Sequence, residues 1–215
     1  MHRIVLFANG SIPNLDVIPS LLRPEDFLLG VDAGARHILA MGRQPHLVIG
    51  DLDSLDAGEI RELKKADVPT RQFPSDKNET DLELALEYAI ESGYREILVV
   101  GGAGNRLDQT LGNIALLTDL RLSTFDLRLD DGVEEIFFCR DQARVRGRSG
   151  DIVSLIPWGN DVTGVSTQNL KWPLHGETLY SHKTRGISNE MPGEEASIKI
   201  ESGLLLIIHR RADHR

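Results

Sequence analysis

The feature that most restricts what this chain can fold into is an alternation. Up to Leu120, short apolar runs of strand length take turns with longer stretches of helical periodicity. The strand-like runs are Ile4 to Ala8, Phe27 to Val31, Leu47 to Ile49, Arg71 to Phe73 and Ile97 to Val100. The helix-like stretches are Ala33 to Met41, Ala57 to Ala66, Asp81 to Ser92 and Gln109 to Leu120. In the third, Leu82, Ala85, Leu86 and Ala89 fall on one helical face. In the fourth, Leu111, Ile114, Ala115 and Thr118 are similarly spaced. Asp56 and Glu59 have the spacing of a capping box. Strands that alternate with helices imply a mostly parallel sheet covered on both faces.

Beyond Leu120 the texture changes. Phe125 to Leu129 and Val133 to Cys139 read as strands around the turn Asp130-Asp131-Gly132. Short alternating segments follow, separated by Gly, Pro, Asn and Ser: Ala143 to Val145, Asp151 to Ile156, Val162 to Val165, Gly176 to Leu179, Ala196 to Ile200 and Leu204 to His209. That pattern predicts an antiparallel β-sandwich. The expected fold class is therefore α/β plus all-β: an N-terminal, mostly parallel α/β sandwich over residues 1–137 and a C-terminal β-sandwich over 138–215.

Composition excludes several classes. A net charge of -9 argues against nonspecific nucleic-acid binding, which needs a basic face. The lone cysteine, Cys139, rules out an internal disulfide and fits a reducing compartment. No apolar run approaches the ~18 residues of a membrane span. Asn9, Gly10 and Pro13 cut the first run too short for a signal peptide, so a cytoplasmic protein is expected.

Polar signals stand where the strands end. Asn9-Gly10 follows the first, Asp32-Ala33-Gly34 the second, Gly50-Asp51-Leu52-Asp53-Ser54 the third, and Gly101-Gly102 the run ending at Val100. In open α/β sheets that edge is where ligands bind. Asp51 and Asp53, in a turn after a strand, can point at one hard cation. Mg²⁺ favours such a site, with one or two carboxylates, several waters and phosphate oxygens. A calcium loop does not fit, because Leu55 stands where an oxygen ligand is needed and Asp56 where the turn needs Gly.

Other candidates have two readings each. Thr80 and Glu83 are spaced as a second capping box and Asp81 complements the helix dipole, while a carboxylate there can also reach a metal. The turn Gly101 to Gly104 can cradle phosphate or be a tight turn alone. Arg106 is suited to bidentate phosphate contacts. Asp108 can cap the next helix or act as a general base towards a hydroxyl. Trp172 suits a β-domain core, or a face presented to a flat or cationic ring. Ser188 and Asn189 suit a turn or a polar contact. The chain has no Gly-x-x-x-x-Gly-Lys-[Ser/Thr], so it is not a P-loop kinase.

Six stretches, in order, resemble the thiamine pyrophosphokinase family. They are Asp32-Ala33-Gly34-Ala35, Pro45 to Ser54, Glu79-Thr80-Asp81-Leu82-Glu83, Gly104 to Asn113, Asn169-Leu170-Lys171-Trp172-Pro173-Leu174 and Ser188-Asn189. The resemblance implies transfer of a pyrophosphoryl group from ATP to the hydroxyl of thiamine, with Mg²⁺ as cofactor. It implies a catalytic domain over 1–137, a thiamine-binding and dimerisation domain over 138–215, and a homodimer with its active site at the subunit interface. By resemblance Asp51, Asp53 and Asp81 are metal ligands, and with Arg106 and Asp108 the catalytic candidates. The glycine turn and the matching stretches add Asp32, Gly34, Ser54, Gly102, Gly104 and Asn113. With Thr80 and Arg106 these are the candidates for holding the nucleotide. Trp172, Ser188 and Asn189 match the thiamine contacts. Asn78, His46 and Ala33 depart from residues usual in the family, and Asn78 removes one acidic group beside the metal. The alternatives are a metal-dependent glycosyltransferase of the Asp-x-Asp type and an inactive thiamine-binding regulator.

Overall fold

The computed structural model describes residues 3–104 and 106–212, so Met1, His2, Asn105, Asp213, His214 and Arg215 lie outside the described residues. The chain divides into two compact units, Met1–Gly132 and Val133–Arg215.

The first unit carries strands β1 (Ile4–Phe7), β2 (Phe27–Val31), β3 (Leu47–Gly50), β4 (Thr70–Gln72), β5 (Glu96–Val100) and β6 (Asp126–Asp130). Its helices are α1 (Ala35–Ala40), α2 (Ala57–Lys65), α3 (Asp81–Glu91) and α4 (Leu107–Leu116). The strands lie in the order β6-β5-β1-β2-β3-β4, every pair parallel. All four residues of β1 are fully buried, as both faces of a helix-covered parallel sheet require. The chain order reverses between β1 and β5. That is the switch point at which the loops after neighbouring strands diverge and leave a crevice.

The helices follow the sequence with informative exceptions. Leu82, Ala85, Leu86 and Ala89 are the buried face of α3, as their spacing predicts. At α2 the Asp56–Glu59 capping box is complete. At α3 only half of the expected box forms: Thr80 Oγ1 accepts from the Glu83 N–H. The stretch expected as one helix from Ala33 opens as a 3-10 turn, Asp32–Gly34, because Asp32 takes a left-handed backbone (φ 48°). A 3-10 helix over Leu15–Leu21, not anticipated from sequence, places Ile18 in the core beside Val5, Phe7 and Leu28. Helix α4 buries Ile114, whereas Leu111 is exposed. The face of α4 that meets the unit is polar there, through Thr110 and Asn113.

The second unit contains β7 (Glu134–Cys139), β8 (Gln142–Arg146), β9 (Ile152–Pro157), β10 (Val162–Gln168), β11 (Glu177–Leu179), β12 (Asn189–Glu190), β13 (Glu195–Lys199) and β14 (Leu205–Arg210). Antiparallel pairing gives two sets, β12-β9-β14-β7 and β11-β10-β13-β8. One buried cluster joins Phe137, Val153, Leu155 and Ile207 of the first set to Val145, Val165 and Ile198 of the second, which makes this unit a sandwich. Cys139 belongs to that core, and burial pushes its thiol up to about 11, away from nucleophilic use.

Candidate active site

The site lies in the first unit, where the loops after β1 and β5 meet. The pairing of the two strands continues past their ends: Ala8 N–H donates to Val100 O (2.8 Å) and Gly10 N–H to Gly101 O (3.0 Å). A side chain at Gly10 could not survive there, because its Cβ would stand 2.2 Å from the Gly101 carbonyl oxygen. His37 of α1 braces the same loop, its Nε2 donating to Gly10 O at 3.0 Å; burial lowers the pKa of this imidazole. On the other side Asn113 Nδ2 donates to Gly102 O (2.7 Å), and Thr110 Oγ1 accepts from Gly104 N–H (3.1 Å). Helix α4 opens at Arg106, whose side chain does not cap it, and the Asp108 carboxylate in its first turn accepts from the Gln109 N–H.

These loops enclose a cavity of about 670 Å³. Of the residues singled out by sequence, Asp32, Asp51, Ser54, Thr80, Asp81, Gly102, Gly104, Arg106 and Asn113 line it. Gly34 does not. It packs against β1, where a Cβ would lie 1.8 Å from Phe7 O. Asp53 and Asp108 also stand outside the lining.

Asp53 nevertheless joins an acidic cluster at the cavity wall. Asp32, Asp51 and Asp53 each offer a carboxylate oxygen, all within 4.8 Å of one another. Backbone geometry builds this cluster. Gly50 lacks the Cβ that would press to 2.9 Å from Asp32 Cβ, and Leu52 between the two aspartates is left-handed (φ 63°). Left-handed non-glycine residues such as Asp32 and Leu52 cost of order 1 kcal/mol each and concentrate at functional sites. The Asp53 backbone N–H donates to Asp51 Oδ1 (3.2 Å) and holds the Asp51 carboxylate below its usual range. A hydrogen bond with Asp51 and the negative charge of that carboxylate push the Asp53 carboxyl up. Asp32 is almost wholly buried, and its Oδ1 has no hydrogen-bond partner. Burying such a group costs a few kcal/mol unless a cation meets it. These observations fit a hard divalent ion held by oxygen ligands.

Asp81, at the first position of α3, has a different neighbour. Lys77 Nζ lies 2.9 Å from Asp81 Oδ1, close enough for full charge attraction but not aligned as a hydrogen bond. The contact with Asp81 keeps Lys77 charged, with Asp51 and Asp32 adding to the effect. Sequence reasoning passed over Lys77, although its four-residue spacing to Asp81 at the start of a helix was a usable signal. It also took Asp32 as a nucleotide contact and did not group it with the metal carboxylates. At the rim, Arg106 makes a two-pronged contact to Asp108: Nη2 to Oδ2 at 2.5 Å and Nε to Oδ1 at 3.2 Å. Arg106 thereby holds the Asp108 carboxylate below its usual range, and Asp108 raises Arg106 in return.

In the second unit Trp172 is half exposed rather than core. Lys171 Nζ stands 5.0 Å from its ring centre. Asn189 fixes the tryptophan's backbone from both sides: Oδ1 accepts from Trp172 N–H (3.0 Å) and Nδ2 donates to Trp172 O (2.7 Å). Ser188 is left-handed (φ 59°), its N–H donating to Ser154 Oγ at 3.0 Å. Asn189 thus acts through the position of Trp172, while Ser188 is exposed beside it.

Two family models match the chain. "Thiamin pyrophosphokinase, catalytic domain" covers residues 18–129, and "Thiamin pyrophosphokinase, vitamin B1 binding domain" covers 141–205. The chain belongs to the thiamine pyrophosphokinase family. A thiamine pyrophosphokinase of Bacillus subtilis is 30% identical over 182 residues, covering 84% of this chain and 85% of the relative. Thiamine pyrophosphokinase 1 of Oryza sativa subsp. japonica is 26% identical over 224 residues, covering 97% and 80%. Among solved structures, the Bacillus subtilis thiamine pyrophosphokinase superposes with a TM-score of 0.89 at 27% identity, over 98% of this chain and 100% of that one. Yeast thiamin pyrophosphokinase gives 0.78 at 18% identity, over 97% and 86%, and supports the fold alone. The family's catalytic match contains Asp32, Asp51, Asp53, Lys77, Asp81 and Arg106, and its vitamin B1 match contains Trp172, Ser188 and Asn189.

Proposed function

We propose that this chain transfers a pyrophosphoryl group from ATP to the hydroxyl of thiamine, giving thiamine diphosphate and AMP, with Mg²⁺ as cofactor. The observation that carries the reading is one cavity that joins a carboxylate cluster to a glycine-loop cradle, in a chain matched along both units by thiamine pyrophosphokinase domains. The same matches favour this reading over an Asp-x-Asp glycosyltransferase.

Transfer of this kind is mainly positioning and charge stabilisation. Mg²⁺ bound at the carboxylate cluster would neutralise phosphate charge. Asp32, Asp51 and Asp53 are the residues that would hold it, together with Asp81 of the same cavity lining. The glycine turn at 101–104 receives the phosphates. Arg106 has guanidinium donors beyond the two spent on Asp108 to offer to the transferred group. In the reaction the thiamine hydroxyl gives up its proton to solvent as its oxygen bonds to the β-phosphorus, the bond from that phosphorus to the oxygen bridging it to the α-phosphate breaks, and AMP departs. Asp108 meets Arg106 through both of its carboxylate oxygens and so orients the guanidinium. Trp172, backed by Lys171 and fixed by Asn189, offers the ring face for thiamine. A reducing cytoplasm suits the lone buried Cys139, and that compartment is part of the proposal. Among the described residues no helix is long and apolar enough to cross a membrane.

The test is AMP release by the purified chain with ATP, Mg²⁺ and thiamine. Release that needs all three supports the reading. Thiamine binding without release identifies an inactive regulator, and release with no thiamine present points to another acceptor.

A further inference from the structure

We propose that Arg36 and Gln72 are positioning residues of the metal loop, gripping its main chain at both ends so that Asp51 and Asp53 keep a fixed distance from Asp32. The proposal rests on the reading of these three carboxylates as part of a divalent-ion site. Neither residue touches the ion; each acts through a carbonyl of the loop.

The loop needs holding. Asp51 to Ser54 lies between β3 and α2, outside any helix or strand. It sets two carboxylates two residues apart, with the left-handed Leu52 between them. Their repulsion favours any shift that spreads them. Bonds within the loop are long: the Asp53 N–H and the Ser54 hydroxyl reach carboxylate oxygens at 3.2 Å, and the Leu55 N–H reaches Leu52 O at 3.4 Å. Shorter contacts come from outside. Gln72, the last residue of β4, donates from Nε2 to Asp51 O at 3.0 Å. Arg36, the second residue of α1, donates from Nη2 to Ser54 O at 2.5 Å. The loop is thus held at its first carbonyl by one neighbouring element and at its last by another.

Arg36 is itself aimed. Its Nε and Nη2 both donate to the Glu59 carboxylate, the second at 2.9 Å, and that carboxylate also accepts from the Asp56 N–H at 2.7 Å where α2 begins. One side chain therefore ties α1, which follows Asp32, to the loop that carries Asp51 and Asp53. Ala35 and Leu55, the chain neighbours of Arg36 and Ser54, share an apolar cluster, so a packed contact runs alongside the polar one. Arg36 is 42% exposed and Glu59 20%, a setting in which an ion pair adds little stability. Charge alone gives Arg36 the wrong sign for a helper: it is a cation near enough to Asp32 to feel that carboxylate, and deleting it would by charge tighten the hold on a metal ion. Positioning predicts the reverse.

The experiment titrates Mn²⁺ into the full chain without nucleotide or thiamine, read by electron paramagnetic resonance, beside the thermal midpoint of each variant. Wild type is expected to bind Mn²⁺, and Asp51→Asn to weaken that binding at least tenfold. Arg36→Met and the uncharged change Gln72→Leu should each weaken it about tenfold, the scale on which groups that orient metal ligands act. Their thermal midpoints should stay within about 2 °C of wild type, as loss of half-exposed contacts implies. Should Arg36→Met fail to fold, Gln72→Leu, on the exposed strand β4, decides. Tighter binding by Arg36→Met, or unchanged affinity in both variants with or without a lowered midpoint, would overturn the proposal. Weakening in one variant alone keeps the proposal for that residue and strikes the other. Wild type that binds no Mn²⁺, or Asp51→Asn that binds it as wild type does, would overturn the metal reading itself. Loss in Asp51→Asn beside intact binding in the other two overturns the grip and leaves the metal reading standing.

Discussion

At the scale of single residues, Asp51 and Asp53 are held together against their own repulsion, as the raised Asp53 carboxyl shows. Function and stability therefore pull in opposite directions there. We expect Asp53→Asn, and likewise Asp51→Asn, to lower kcat at least 100-fold, the scale of losing one charge-stabilising group. The thermal midpoint should stay the same or rise. Wild-type turnover by either variant across a Mg²⁺ titration would remove these residues from the metal site. Trp172→Ala should weaken thiamine binding at least tenfold while leaving ATP binding within twofold, as measured by calorimetry with each ligand alone. Equal losses would mean a structural role. The Asp-x-Asp pair was legible in the sequence because its two members are neighbours after a strand. The grouping with Asp32 was not legible, since those side chains meet only when β2 and β3 lie side by side.

At the scale of elements, the end of β14 offers a pH-dependent test. His209 is fully buried, with Nε2 at 2.8 Å from Asp151 Oδ2 and Nδ1 at 3.5 Å from Glu135 Oε2. Burial pushes its pKa down, but the contacts with Glu135 and Asp151 outweigh burial and raise it above the ordinary 6.5. Burial works to raise Asp151, yet bonds from Ala212 and Arg148 N–H groups and from His209 bring it below 3.8. A raised histidine contributes stability below its unfolded pKa and loses it as pH rises through the folded value. A depressed aspartate contributes above its unfolded pKa and loses it as pH falls through the folded one. Both contributions coexist between about pH 4 and 6.5. The stability gap between wild type and His209→Gln, from urea unfolding, should be widest in that window and narrow towards pH 9. A gap constant with pH would show that the ring acts only through packing. Elements themselves were largely legible, because β-branched runs and the face of α3 obey simple periods. The two-residue strand β12 and the Leu15–Leu21 turn were not, since one is shorter than any period and the other carries Pro19 inside. Helix α4 misled for a different reason. Its apolar spacing was real, but Thr110 and Asn113 bind the glycine turn and decide which side faces inward.

At the scale of the whole molecule, the change from alternating helices to short strands announced a parallel unit followed by an antiparallel one. Assembly was not announced by any pattern of residues, and the homodimer with a shared site is our proposal from the resemblance. Complementation tests it. An Asp53→Asn chain mixed with a Trp172→Ala chain, assayed at a thiamine concentration too low for either alone to turn over, should recover about half the wild-type activity per mixed dimer, since one intact site is restored. No recovery after proven subunit exchange would mean that each chain builds its own site.

The bond between Gly10 and Gly101 has a consequence for anyone mapping this enzyme by mutation. The wall that would receive the phosphates is made of main chain, so substituting side chains for alanine leaves its binding groups untouched. A survey of that sort would register the loops only where a new Cβ clashes, as at Gly10, and would credit the charged residues with the binding itself. Replacing single amides by esters, which deletes one N–H and leaves every side chain in place, would make that silent wall measurable.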